Sequence, residues 1–421
     1  MKLIRSFLKL LGPGLITGAS DDDPSGVATY AQTGAQFGYT PLWTTFYTIP
    51  FMTVIQEMCG RIGLVTGKGL GGVIRQHYPK IILYASIFIL FVANIINVGA
   101  DLGAMAETVK LLLPGPFLFW IVIITSISLG LEIFIPYPTY ARYLKFVVLT
   151  LFVYGVTVFV IKQDWAKIAF STFIPTLKFD SSFVLNLVAL LGTTISPYLF
   201  FWQSDEEVEE RIEKHRQKDI GVKVGYTTKK DLRNLRIDTI IGMVFSNLIS
   251  FFIIITAAST LHTHGIKNIE SASQAAQSLK PVAGDLASFL FAAGIIGGGL
   301  LAVPILAGSA AYALSEALKI KAGLNKNYRR APIFYGIIIL ATVLGVLVNV
   351  TPIKPFQLLY YTAALNGLAA PILMFLILAI SNNKKIMGEH TNPPLSNILG
   401  GFIAIVMGIG GILLLFSLLK S

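Results

Sequence analysis

Two short segments combine groups that can bind a cation with residues that interrupt a helix. The first is Asp21-Asp22-Asp23-Pro24-Ser25-Gly26, and the second is Thr193-Thr194-Ile195-Ser196-Pro197-Tyr198. Neither contains a sulfur or an imidazole, so their donors are oxygens, which suit a hard cation such as magnesium or manganese. Each segment also has an ordinary structural reading. Asp23 before Pro24 has the pattern of a helix N-cap, and the hydroxyls of Thr193, Thr194 and Ser196 can satisfy nearby backbone carbonyls. The surroundings favour an ion pathway at Asp23. Apolar sequence flanks it on both sides, and an aspartate inside a membrane span costs several kcal/mol, more than capping alone explains. Asp21 and Asp22 are read as supports, gates or pathway residues.

The elements that position these groups follow from composition. Of the 421 residues, 54% are hydrophobic and 13% charged, against roughly 25% charged in soluble domains. There are too few polar residues to cover a soluble surface, so the outer surface must face lipid. Segments able to span lie near 10–35, 40–65, 81–113, 117–135, 140–161, 183–204, 237–261, 284–317, 331–350, 356–381 and 396–419. The first and sixth are interrupted at Pro24 and Pro197. Proline removes a backbone donor, and in lipid the freed groups are tolerated only where they line a cavity. The breaks sit five spans apart, and because five is odd a second copy of a five-helix unit is inverted. Paired broken helices in an inverted repeat point to a site at the bilayer midplane.

The expected architecture is therefore all-α and integral to the membrane. Residues 1–421 form one polytopic domain, with a first repeat at about 10–162, a second at about 183–382 and an extra helix at about 396–419. The polar stretch 205–236 is read as an amphipathic or solvated connector on the cytoplasmic side. Met1 to Gly14 looks superficially like a signal peptide, but no small-residue cleavage site follows, and it is read as the start of an uncleaved first span. Placing the N-terminus inside assigns about three quarters of the 33 Lys and Arg residues to the cytoplasm, with the C-terminus external.

Other signals exclude more than they assign. The net charge of +11 fits a basic cytoplasmic face, and no basic stretch is interleaved with exposed aromatics, which argues against nucleic acid. A lone cysteine, Cys59, excludes a disulfide framework and a thiolate cluster. Gly67-Lys68-Gly69-Leu70-Gly71-Gly72 fits G-x-G-x-x-G, but it joins two spans and no strand precedes it, so a flexible cytoplasmic loop is the better reading. Gly294 and Gly297-Gly298-Gly299 indicate close helix packing. His77, His215, His262, His264 and His390 fall in loops or at span ends. Hydrolase and ATPase motifs are missing, so no enzyme activity and no cofactor is expected.

The motifs carry a resemblance. Gly12-Pro13-Gly14-Leu15 followed by Asp23-Pro24-Ser25-Gly26 resembles the first helix of the NRAMP family of divalent-metal transporters, whose motif reads D-P-G-N. Gly192 to Tyr198 resembles the sixth-helix stretch G-A-T-V-M-P-H. Thr66 to Leu70 and Lys385 to Glu389 are similar to loops after helices two and ten. The resemblance implies a LeuT-type fold with helices 1 and 6 broken, agreeing with the span count. It also places Asn366 where the family has a helix-ten glutamine near the ion, and Asn247 at a helix-seven asparagine of the outer pathway. The implied metal set is Asp23, Gly26, Thr193, Ser196 and Asn366, with Asp21, Asp22, Tyr198, Asp101 and Asn247 as pathway or support.

The departures indicate a metal. Gly26 replaces the family's asparagine, Ser196 its methionine and Tyr198 its histidine. Asp101-Leu102-Gly103-Ala104 resembles D-L-A-E without the glutamate, and Phe334 falls near a family arginine. Replacing a soft thioether by a hydroxyl removes the preference for transition metals. Smaller side chains enlarge the site for magnesium, which keeps several waters. The resemblance then narrows to NRAMP-related magnesium transporters, implied to lack proton coupling. Inward movement of a divalent ion gains roughly 4.6 kcal/mol per 100 mV, enough to drive uniport. The expectation is a monomer in the cell membrane taking up hydrated magnesium, and manganese, with the ion and the lipid bilayer as partners. The near alternative is a proton-coupled manganese or iron importer. An amino-acid carrier of the same fold is disfavoured by repulsion from Asp21 to Asp23, and a membrane metal sensor by the lack of a sizeable soluble domain.

Overall fold

Helix dominates because most of the chain is apolar, and a chain in lipid must satisfy its backbone groups internally. The computed structural model describes residues 13–135, 139, 149–214, 216–222 and 227–420, and every secondary element among them is helical. The first predicted span is α1 (Pro13–Asp21) and α2 (Pro24–Phe37), and the second is α3 (Trp43–Thr66). A short α4 (Leu70–His77) leads into α5 (Lys80–Val109) and α6 (Phe117–Phe134). The fifth predicted span is represented by α7 (Phe152–Val160), and α8 (Trp165–Phe173) lies before the sixth. The sixth is α9 (Ser181–Thr194) and α10 (Pro197–Glu213), followed by α11 (Lys229–Thr260), α12 (Ala287–Leu318), α13 (Pro332–Val348), α14 (Pro355–Asn382) and α15 (Pro394–Lys420). The reading of Met1 to Gly12, the start of the fifth span with Arg142 and Lys145, and His215 lie outside the described residues.

Seven segments among the described residues are long and apolar enough to cross a membrane. They carry rows of exposed large apolar side chains, such as Phe402, Ile405, Ile409 and Ile412 along α15. That is the pattern of helices whose solvent is lipid on one side and protein on the other. Connections alternate between two faces. Lys68, Gly221 and Lys321, from three different connections, line one cavity. Lys110, Glu270 and Thr351, from three others, line a second.

The polar stretch 205–236 is not one solvated connector. α10 runs to Glu213 and α11 starts at Lys229, leaving only 214–228 between them. The acids of α10 turn inward. Glu209 accepts hydrogen bonds from Tyr312 Oη and Asn325 Nδ2, both at 2.8 Å, and Arg211 donates to the Leu64 carbonyl at 2.7 Å. α11 begins with a capping box in which Thr228 and Asp231 bond each other's backbone N–H.

Close helix crossings set the frame around the breaks. A Cβ on Gly18 would fall 2.2 Å from the Gly242 carbonyl oxygen, so α1 and α11 touch backbone to backbone. A Cβ on Gly192 would fall 2.2 Å from the Gly367 nitrogen, joining α9 to α14 the same way. Gly298 of α12 lies against the Asp22 carbonyl, as the glycine run predicts. The inner half-helix is tied down further. Gly14 N donates to Asp238 Oδ2 at 2.7 Å, and Thr17 donates to Gln203 Oε1 at 2.6 Å.

Candidate metal-ion site at the two broken helices

The first break is two residues long. α1 ends at Asp21 and α2 begins at Pro24, with Asp23 extended at φ −66°, ψ 172°. Asp23 Oδ1 caps α2, accepting from Gly26 N at 2.6 Å and Ser25 Oγ at 2.7 Å. Its other oxygen, Oδ2, accepts from Asn97 Nδ2 at 3.4 Å. The capping and ion-pathway readings thus use different oxygens of one carboxylate.

Asp21 and Asp22 share one hydroxyl. Ser246 Oγ is 2.7 Å from Asp21 Oδ2 and 3.5 Å from Asp22 Oδ1. Asp101 of α5 lies within electrostatic reach of Asp23 and beside the Ser25 backbone, yet neither of its oxygens completes a hydrogen bond among the described residues. Asp21 Oδ1 and Asp22 Oδ2 are likewise without one. All four carboxyl groups are at most 1% exposed. No lysine or arginine pairs with any of them among the described residues. Buried carboxylates are ordinarily paired, bound to a metal or protonated, so this cluster holds negative charge only where a cation or protons offset it. No three acidic, histidine or cysteine side chains converge as a closed cage among the described residues. The arrangement therefore offers few direct carboxylate ligands.

The second break is closed by hydroxyls. The chain leaves α9 at Ile195, φ −123° and ψ 68°, and enters α10 at Pro197. Ser196 Oγ lies 2.9 Å from the Gly192 carbonyl and 2.7 Å from that of Thr193. Its proton is thus spent on the carbonyls that the break exposes, and only its lone pairs remain for an ion. Thr194 donates to the Leu190 carbonyl at 2.7 Å. Tyr198 Oη donates to the Ser20 carbonyl at 3.1 Å, tying the second break to the first.

Gly26 marks the point where the breaks meet. A Cβ there would lie 2.7 Å from the Asp21 carbonyl oxygen, 3.4 Å from Asp23 Oδ1 and 3.4 Å from Thr193 Oγ1. Three oxygens from both broken helices face one bare Cα. Asn366 adjoins the crossing of α9 and α14, buried, with its Nδ2 lacking a partner among the described residues. Asn247 turns away: its oxygen accepts from Thr48 at 2.9 Å, and its nitrogen donates to the Met243 carbonyl at 2.9 Å. The residue before it, Ser246, is the one that reaches the aspartates. Phe334 packs on Tyr312, ring centres 4.8 Å apart.

Several neighbours escape a reading of the two motifs alone. Asn97 and Ser246 hold the carboxylates. Tyr30, fully buried, is within electrostatic reach of Asp21, Asp22 and Asp23. Met105 Sδ and Pro24 Cγ both lie against Gly299, so α5 brings a thioether near the first break, although neither motif contains sulfur. A signal for α5 exists in the sequence: Asn94, Asn97 and Asp101 form an i, i+3, i+7 polar stripe on an otherwise apolar helix. On the face bearing Lys110 and Thr351, a cavity of about 260 Å³ is lined by Gln32, Gln36, Asn268, Gln357, Tyr360 and the carboxylate of Glu270.

The family profile described as natural resistance-associated macrophage protein-like (Nramp) matches residues 14–417. A divalent metal cation transporter MntH of Caldanaerobacter subterraneus is 24% identical over 426 residues, covering 99% of this chain and 94% of that protein. A solved manganese transporter of Eremococcus coleocola superposes with TM-score 0.77 at 16% identity, covering 97% of this chain and 86% of its own. The structure of MHP1, a nucleobase-cation-symport-1 family transporter, superposes with TM-score 0.57 at 13% identity over 96% of this chain and 91% of its own. The fold is accordingly LeuT-type: two inverted five-helix repeats plus an eleventh helix, with helices 1 and 6 broken. With breaks, crossings and profile in agreement along nearly its whole length, the chain belongs to the Nramp family.

Proposed function

We propose that this protein carries hydrated divalent metal cations across the cell membrane, magnesium foremost and manganese as well, as a uniporter driven by the membrane potential. The observation that supports transport is the group of four buried carboxylates, Asp21, Asp22, Asp23 and Asp101, without a basic partner among the described residues. The relatives named as divalent metal cation and manganese transporters support the substrate class.

The metal reading rests on what surrounds Asp23. Gly26 and Ser196 stand where the family motifs carry an amide and a thioether. No closed ligand cage forms among the described residues. An ion arriving through the cavity of Gln32, Gln36, Asn268 and Gln357 meets amides that can hold its waters without stripping them, with Glu270, paired to Lys354, at the wall. At the break, Asp23 Oδ2 offers charge, while Thr193 and the lone pairs of Ser196 offer neutral oxygens. Magnesium, reluctant to dehydrate, is served by such a site. Asn366 supports the ion through water, and Tyr198 holds the two breaks in register. The positive-inside count places the N-terminus in the cytoplasm and the C-terminus outside, and the carrier works as a monomer.

A second reading has its own support. Structural neighbours named as manganese transporters, together with Asp101 and the Met105 thioether near the first break, favour a proton-coupled manganese or iron importer. Magnesium entry into proteoliposomes under an inside-negative potassium diffusion potential decides between the metals. Saturable magnesium uptake, inhibited by manganese, is the expected result. Manganese uptake undisturbed by a hundredfold excess of magnesium would overturn the magnesium reading.

A further inference from the structure

Far from the broken helices, on the face carrying the α3–α4, α10–α11 and α12–α13 connections, lies a cavity of about 350 Å³. Its walls carry Lys68, Arg75, Lys319, Lys321 and Lys326, opposed by two carboxylates, Asp219 and Glu316. The carboxylates are already engaged. Glu316 Oε1 and Oε2 accept from Gly69 N and Gly72 N, each at 2.8 Å. Asp219 Oδ1 binds Lys326 Nζ at 2.6 Å and Ile220 N at 2.7 Å. Lys68 donates to Gln76, and Arg75 donates to the Glu316 carbonyl at 2.6 Å. The side chains of Lys319 and Lys321 make no hydrogen bond or ion pair among the described residues, and both residues are exposed. The cavity therefore keeps a surplus of positive charge.

Two further observations separate it from a generally basic surface. The G-x-G-x-x-G stretch does not cradle a phosphate with its own amides, because Glu316 occupies them as an internal anion. Any external anion must be held by the side chains across the cavity. Lys319 also has φ 59°, the only positive φ at a non-glycine among the described residues. It ends α12 with Ile320 N bonding back to the Ser315 carbonyl at 2.8 Å, a place where glycine is the unstrained choice. A lysine there puts a charge at the cavity rim at the cost of backbone strain. The cavity falls within the roughly 300–1,000 Å³ range of small-molecule sites.

We propose that this cavity binds a phosphate-bearing polyanion, with Lys319 and Lys321 as its principal contacts, bridging the three connections. The bridge adds to the ties already present, Gly221 N to the Gly67 carbonyl at 2.8 Å and Lys326 to Asp219. The phosphate comes either from a free polyphosphate or from an anionic lipid headgroup.

Full-length protein in detergent, with EDTA present to remove chelated metal, is titrated calorimetrically with inorganic pyrophosphate. In parallel, native mass spectrometry counts phosphatidylglycerol retained against phosphatidylcholine. The double variant K319Q/K321Q is expected to bind at least tenfold more weakly. The variant K384Q/K385Q removes the same charge from exposed positions in the α14–α15 connection, outside the cavity lining, and is expected to bind as wild type does. Pyrophosphate binding assigns a free anion as the source, and selective phosphatidylglycerol retention alone assigns a lipid. Failure of the wild type to bind either one overturns the proposal. So does equal weakening in both double variants, or none in K319Q/K321Q.

Discussion

At the first break the group that closes the helix end is a carboxylate, Asp23, whereas at the second it is a hydroxyl, Ser196. Asp23 spends one oxygen on Gly26 N and Ser25 and leaves the other in loose contact with Asn97. Ser196 spends its proton on two carbonyls and keeps only neutral lone pairs. The same backbone problem, a proline inside a span, thus leaves charge at one end of the site and none at the other. On the function proposed, an ion at this junction is drawn by the first break and shaped by the second.

The strongest way to break this comparison is to remove the charge while keeping the cap. Asparagine is also a good N-cap, so Asp23→Asn should fold with nearly unchanged thermal stability and lose on the order of 100-fold in metal uptake. That loss corresponds to about 2.7 kcal/mol, within the range of a charged hydrogen-bonding group. Uptake within a few-fold of wild type would return Asp23 to a purely structural role. Asp23→Ala should lose uptake equally and in addition lose about 1 kcal/mol of stability with the cap, read as a lowered midpoint in thermal unfolding.

At the second break the expected effect is on preference rather than on rate. Ser196→Met restores a thioether and should move the manganese-to-magnesium uptake ratio about tenfold toward manganese. Magnesium competition curves that do not move would show that Ser196 does not set selectivity. In that case Met105, whose thioether already stands near Pro24, becomes the residue to test by Met105→Leu. Smaller still, Ser196→Ala exposes the Gly192 and Thr193 carbonyls and should cost about 1 kcal/mol of stability, with uptake reduced only a few-fold. Tyr198→Phe, which removes one neutral tie between the breaks, should change uptake by about twofold. A tenfold loss would mean that Tyr198 takes part in ion or proton movement.

The breaks were legible in the sequence because proline and glycine interrupt apolar runs visibly, and Asp21, Asp22 and Asp23 stood out as charges inside a span. The division of labour between the two oxygens of Asp23 was not legible, since it depends on where α5 places Asn97. Ser246 was hidden behind its neighbour Asn247: one step along α11 turns a side chain by about 100°, and only packing decides which of two adjacent polar residues faces the aspartates. The stretch holding the acids of α10 reads as an amphipathic or solvated connector because charge density along a segment does not tell which way a helix faces. Glu209 is instead held by Tyr312 and Asn325 inside the protein.

The proposed function requires that Asp23, in a carboxylate-bearing break beside a neutral one, pass a divalent ion without a proton. The most direct test loads proteoliposomes with a metal-sensitive and a pH-sensitive dye and follows magnesium, manganese and proton flux together under an imposed potential. Metal entry that scales with the potential while lumenal pH stays constant is the predicted result. Lumenal acidification that rises and falls with metal entry, and vanishes in Asp23→Asn, would contradict it.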